Sequence, residues 1–181
     1  MPPFGSHDYN YVSIEVWTYF QGAVHNSAIW KSAVNWFTST SQFGSTTDEI
    51  QKSLRTHYHN ENKKILITAF GNEVPASHSV DPVVCAQKLA TFVLENNLDG
   101  VNVDWKDLHS FIYGTGENWM ISFMTELRVH LPDHVVCHTA DSSYFKEESF
   151  TNGGYIAIHE AVGHLIDFYN VQYFQAAKTY D

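Results

Sequence analysis

The chain has 181 residues, a formal net charge of −10, and 44% hydrophobic content with 15% aromatic residues. That length is one domain's worth and is enough to bury a core, so residues 1–181 are read as a single domain. The acidic excess argues against nucleic acid and anionic membrane surfaces as partners, because phosphates would be repelled and no basic run offsets the charge.

No apolar stretch approaches the roughly 20 residues that span a bilayer. Residues 1–10, MPPFGSHDYN, have neither a basic n-region nor an apolar h-region, so no signal peptide is visible. The expectation is a soluble chain, cytoplasmic or secreted as a mature or non-classically exported form. Cys85 and Cys137 are too few for a disulfide framework and sit among apolar residues, as buried free thiols do.

Residues 11–22, YVSIEVWTYFQG, are β-branched and aromatic and end in glycine, which predicts a strand. A helix is predicted over 47–59 from the spacing of Ile50, Leu54 and Tyr58, with Asp48 and Glu49 in its first turn. KILITAFG at 64–71 is a short apolar run with a glycine stop, as a buried parallel strand has. Over 81–97 Asp81 caps a helix that has Pro82 at its first position and Val84, Cys85, Leu89, Phe92 and Val93 on one stripe. A strand over 99–106 follows, then a helix over 117–131 stopped by Pro132, a strand over 135–140, a short helix over 156–163 and a last strand over 166–174. Strands alternating with helices mean βα units and a parallel sheet. About five strands fall three short of the eight in a (β/α) barrel of about 250 residues.

The strand DGVNVDWK places Val101, Val103 and Trp105 on one side and Asn102, Asp104 and Lys106 on the other. Helices cover the outside of such a barrel, so the apolar set faces them and the polar set points inward, where it costs too much to be filler. By the same alternation Ser13, Glu15 and Trp17 face in, and Ile14 and Val16 face out.

LDGVNVDWKD resembles the fourth-strand signature D-G-x-D-x-D-x-E of the family-18 glycoside hydrolases, the chitinase-like barrels. KILITAFG is similar to their third strand, HVVCHTADSSYF to a fifth strand and LIDFYNVQYFQ to a sixth, while GAVHNSAIW resembles the loop after the second strand of fungal members. The resemblance implies an incomplete α/β TIM-like barrel of about five parallel strands, corresponding to barrel strands 2 to 6, with no counterpart of the first, seventh and eighth.

The departures bear on activity. Asp99, Gly100 and Asp104 match, but Asn102 replaces an aspartate, Lys106 stands at the place of the catalytic glutamate, and Phe174 and Gln175 replace the tyrosine and the acid or amide of the sixth strand. In the family the glutamic acid protonates the glycosidic oxygen while the neighbouring aspartate orients the substrate's own acetamido nucleophile, outside the two-carboxylate scheme. Lysine, with an ordinary pKa near 10.4, is a poor proton donor to an ether oxygen, and its charge opposes an oxocarbenium-like transition state. No catalytic residue is assigned, and the degenerate family site is Asn102, Asp104, Lys106 and Phe174.

The expectation is a non-catalytic chitinase-like lectin or defence protein that binds a glycan or glycoprotein, with N-acetylglucosamine-type sugars as candidates. Asp104 would anchor the ligand, and Lys106, Glu15, Gln172 and His138 would shape the pocket, with a satisfied core histidine the alternative for His138. Trp17 and Tyr144, near the mouth, are candidates to touch the sugar. The alternatives are a glycosidase with altered chemistry, using Glu15 or another carboxylate, and an interaction protein whose old site is filled by a Lys106 ion pair.

His159 and His164 in HEAVGH are five apart, roughly 140° around a helix, which is the wrong face for a shared zinc, and no metal or cofactor is expected. His138, Asp141 and Ser142 lack a glycine-framed nucleophile turn and are not read as a triad. Open sheet edges at the first and last strands predict a homodimer or higher oligomer.

Overall fold

A computed structural model describes residues 8–23, 30, 47–71 and 79–173. Phe174, Gln175 and most of the GAVHNSAIW loop lie outside the described residues. The strands are β1 (Tyr11–Thr18), β2 (Gly22–Ala23), β3 (Lys64–Gly71), β4 (Gly100–Trp105), β5 (Val135–Asp141) and β6 (Phe168–Gln172). They form one sheet in the order β2-β1-β3-β4-β5-β6. All neighbours from β1 to β6 are parallel, and β2 folds back antiparallel on the end of β1. The single strand expected over 11–22 is thus a strand and a two-residue return, which covers β1 at Trp17 and Thr18.

Helices α1 (Thr47–Asn60), α2 (Pro82–Glu95), α4 (Gly116–His130) and α5 (Gly154–Val162) alternate with the strands, and a short α3 (Leu108–Ile112) leads out of β4. This is the incomplete α/β TIM-like barrel with five parallel strands that the alternation predicts. Asp81 caps α2 by accepting from the Val84 backbone N–H at 2.9 Å, with Pro82 at its first position. Cys85, Leu89, Phe92 and Val93 of α2 are buried, whereas Val84, counted with them, is 40% exposed. At the end of α4 the Arg128 guanidinium donates to the carbonyl of the C-cap residue Leu131 at 3.2 Å, an acceptor that a helix end leaves open, and to those of His134 and Leu165 at 2.7 and 3.1 Å.

The main core lies between the sheet and its helices. Trp105 stacks on Trp119 of α4 at 5.4 Å between centroids, and Trp119 stacks in turn on Phe123 at 5.3 Å. Val101, Val103 and Trp105 are fully buried on this side, so the inside–outside assignment of β4 holds. Both cysteines are buried and free.

Two aspartates fasten the N-terminal ends of the strands. The Asp99 carboxylate accepts from the Ile65 backbone N–H at 2.7 Å and lies 2.9 Å from His59 Nε2, tying β3 and α1 to the start of β4. Asp167 repeats the device one pair along, accepting from the Val136 N–H at 2.7 Å and from Arg128 at 3.2 Å. Between them Gly100 lets β4 approach β5: a Cβ there would meet the Val135 carbonyl oxygen at 1.9 Å. No rotamer relieves a clash with backbone. Gly100→Ala should therefore lower stability by about 2–3 kcal/mol, read as a fall in the urea midpoint at unchanged slope.

Candidate functional site

The concave face of the sheet carries a polar ladder set by strand register. Thr68, Asn102 and Cys137 pair across β3, β4 and β5, and Cys137 pairs onward with Phe168 of β6. Asn102 donates to Thr68 Oγ1 at 3.3 Å, and its oxygen accepts from Thr139 Oγ1 at 2.8 Å and the Cys137 thiol at 3.3 Å. The amide is thus held by three neighbours and stiffens the middle of the face.

Asp104 sits one pleat above. Its register partner on β3 is Phe70, but Phe70 adopts φ +77° and its ring joins the helix-side core, 5.4 Å from Phe123 and 6.0 Å from Trp119. The left-handed backbone withdraws a phenyl ring that alternation would have placed beside the carboxylate.

Lys106 Nζ lies 3.1 Å from Asp104 Oδ2, the ion pair expected from the sequence. Their side chains are 24% and 13% exposed, so the pair is partly shielded. Burial raises the Asp104 carboxyl above its ordinary value, opposed by the hydrogen bond and charge of Lys106 and reinforced by the charge of Glu15. Glu15 is exposed but acts on the same site. Asp104 Oδ1 is buried and accepts no hydrogen bond.

Asp141, at the end of β5, completes the rim and is the residue that sequence reasoning left out. It pairs in register with Gln172 of β6 and is 6% exposed. Its Oδ1 accepts from the Ser143 N–H at 2.8 Å and the Ser143 hydroxyl at 2.7 Å, while Oδ2 is buried with no donor. Gln172 Oε1 is in the same condition. The Tyr144 hydroxyl is pushed up to about 12, first by burial and then by Asp141, Asp104 and Asp107, which puts those carboxylates in range of one phenol. Alternation along β5 puts 137, 139 and 141 in the inward set once its register with β4 is known.

Three expected ligand contacts are corrected. Trp17 is 3% exposed and packs against Phe70 at 6.3 Å on the helix side, because the β1–β3 register shifts between Ile14 and Trp17 and reverses the alternation. His138 is fully buried with the outward set of β5, bonded to Tyr155 Oη at 3.1 Å, and burial lowers its pKa to about 3. It is the satisfied core histidine. Tyr144 is 7% exposed, with its ring packed on Phe111 at 5.2 Å and stacked on Tyr155 at 6.2 Å. The structure brings Asp104, Lys106, Glu15, Asn102 and Gln172 to the concave side. Among the described residues no three His, Cys, Asp or Glu side chains are grouped as metal ligands would be.

No protein-family model matches the sequence, and neither does any curated protein. Among solved structures, a GH18 chitinase from Pseudoalteromonas aurantia superposes with a TM-score of 0.67 at 27% identity, over 92% of this chain and 60% of that one. The fold is that of the family-18 chitinases. A chitinase from Aspergillus fumigatus covers 91% of the chain and 56% of its own length at a TM-score of 0.57 and 13% identity. A family GH18 chitinase from Chromobacterium violaceum covers 72% and 37% at 0.55 and 16%. The chain thus spans 60% or less of these chitinase chains, as an incomplete chitinase-like barrel does.

Two outcomes follow from these contacts. Unfolding lets His138 titrate near 6.5, whereas in the fold it stays neutral down to about 3, so the unfolded chain binds the extra proton between those values. Stability should fall with acidification across that window, by about 1.4 kcal/mol per pH unit for this one group. The difference between wild type and His138→Gln in pH-resolved urea unfolding should show that slope. Lys106→Met leaves Asp104 buried without its counter-charge and should cost about 1–3 kcal/mol at neutral pH. That loss should shrink as acid protonates Asp104, whose carboxyl resonance should titrate higher than in wild type.

Proposed function

We propose that this chain binds a glycan of the chito-oligosaccharide type and does not cleave it. The observation that carries the reading is the Lys106–Asp104 contact of 3.1 Å. It occupies the two positions that the resemblance gives to the proton donor and to the acetamido-orienting carboxylate. An ammonium group held by a carboxylate is a poor proton donor to a glycosidic oxygen and repels positive charge developing on the sugar ring. Asn102 is held by Thr68, Thr139 and Cys137 and has no titrating proton to share with Asp104. Binding is supported by what remains: a concave face at the C-terminal ends of parallel strands, where barrels place their sites, carrying the polar side chains of Asn102, Asp104, Lys106 and Gln172.

Release of a fluorescent leaving group from a chitobioside tests the chemistry. Wild type and Lys106→Glu should both give background rates, because groups that act as a unit do not recover one at a time. Turnover by wild type would overturn the reading. Glycan-array binding that chito-oligosaccharides compete away is the expected positive result, and no glycan binding at all would favour an interaction protein whose site is closed by its own ion pair.

A further inference from the structure

We propose that this chain pairs with a second copy of itself, β6 lying antiparallel to the same strand of its partner across a two-fold axis at Asn170.

The argument starts from the two ends of the sheet. β1 and β6 flank the five parallel strands, and an edge strand leaves half of its backbone N–H and C=O groups without a ladder partner. β1 is blunted in three ways. β2 folds back on its outer side at Trp17 and Thr18, its register with β3 shifts after Ile14, and exposed Glu15 puts a charge on the strand. β6 has none of these. Among the described residues no strand lies beyond it, and its register with β5 runs unbroken from Phe168 to Gln172. Residues 168–173, FYNVQY, contain no charge, proline or glycine. β4 and β5 are buried at every position, whereas no residue of β6 is, Asn170 is exposed, and Tyr173 just beyond the strand is 69% exposed. A regular, uncharged edge rich in aromatic and β-branched residues is a template for another strand.

The strand itself names the occupant. Full-length antiparallel pairing of β6 with its own copy sets Asn170 opposite itself, Tyr169 opposite Val171, and Phe168 opposite Gln172. Facing amides donate and accept at once, and an aromatic side chain opposite a β-branched one is a stabilising cross-strand pair. One step further out, Asp167 falls opposite Tyr173, and its carboxylate is already met by Arg128 of its own chain at 3.2 Å. No like charges meet across the axis. Pairing of this kind uses one edge from each copy and closes at two. Adding β6 to β1 would instead meet the blunted edge and propagate.

The test is sedimentation velocity of the full chain from low to high micromolar concentration. A monomer–dimer equilibrium is expected, and it should tighten as salt rises, because each copy carries a net charge of −10. Asn170→Asp sets two carboxylates face to face and should weaken the dimer by about tenfold or more. Its circular dichroism and urea midpoint should stay those of wild type, since the side chain is exposed. Asn170→Cys should give a disulfide-linked dimer under oxidised glutathione, because facing Cβ atoms of an antiparallel pair stand about 5 Å apart. Val129→Cys, on the exposed face of α4, should not, and the native thiols Cys85 and Cys137 are buried.

A monomer at every concentration overturns the proposal. So does a dimer that Asn170→Asp leaves intact, or one in which Asn170→Cys cross-links no faster than Val129→Cys, since either places the contact elsewhere. Species that keep growing with concentration would show that β1 pairs as well and overturn the closed two-fold.

Discussion

The close contact of β4 with β5 at Gly100 is the constraint on which the rest depends. With a side chain excluded by the Val135 carbonyl, the two backbones meet in one register, and the Asp99 carboxylate extends that register to β3 through the Ile65 N–H. Once Gly100 stands opposite Val135, Asn102 must stand opposite Cys137 and the polar ladder follows. A one-residue slip would turn the ladder into the helix core and the tryptophans into the concave face. The DG pair that opens the family-like signature is therefore structural here, and the chemistry of that strand begins at Asn102.

The two faces of β4 serve opposite ends. On one side Trp105, Trp119 and Phe123 form a continuous stack that anchors α4. On the other, Asn102 and the Asp104–Lys106 pair build a hydrogen-bonded wall. Rigidity on the first side holds the second in place. The inverted backbone at Phe70 belongs to both, since it feeds an aromatic to the stack and leaves room beside Asp104.

Much of this was legible because the hydrophobic period of each element agrees with its place. β3 begins and ends where its apolar run does, Asp81 and Pro82 mark the start of α2, and the alternation of β4 names its inward residues correctly. What failed did so for local backbone reasons. Trp17 was assigned inward by counting in twos along β1, and the register shift after Ile14 breaks the count. Phe70 escapes the same count through a positive φ, which no apolar pattern announces. For His138, left between pocket and core, and for Asp141 the reason is different. Counting along β5 from the residue beside Gly100 puts 138 outward and 141 inward, but that count needs the cross-strand pairing, a tertiary fact. The Tyr144 ring, a candidate to touch the sugar, is packed in the core among Phe111, Phe150 and Tyr155.

The paired corners at Asp99 and Asp167 have one more consequence. Each locks a strand at its N-terminal end through a backbone N–H and a basic side chain from the preceding helix, His59 for one and Arg128 for the other. The sheet is thus secured from below, while Asp104, Lys106, Asp141 and Gln172 all stand at the opposite rim. Such a division separates the corners that set the strand register from the rim that carries the charged groups, so a change of charge at the rim leaves the register contacts of Asp99 and Asp167 in place.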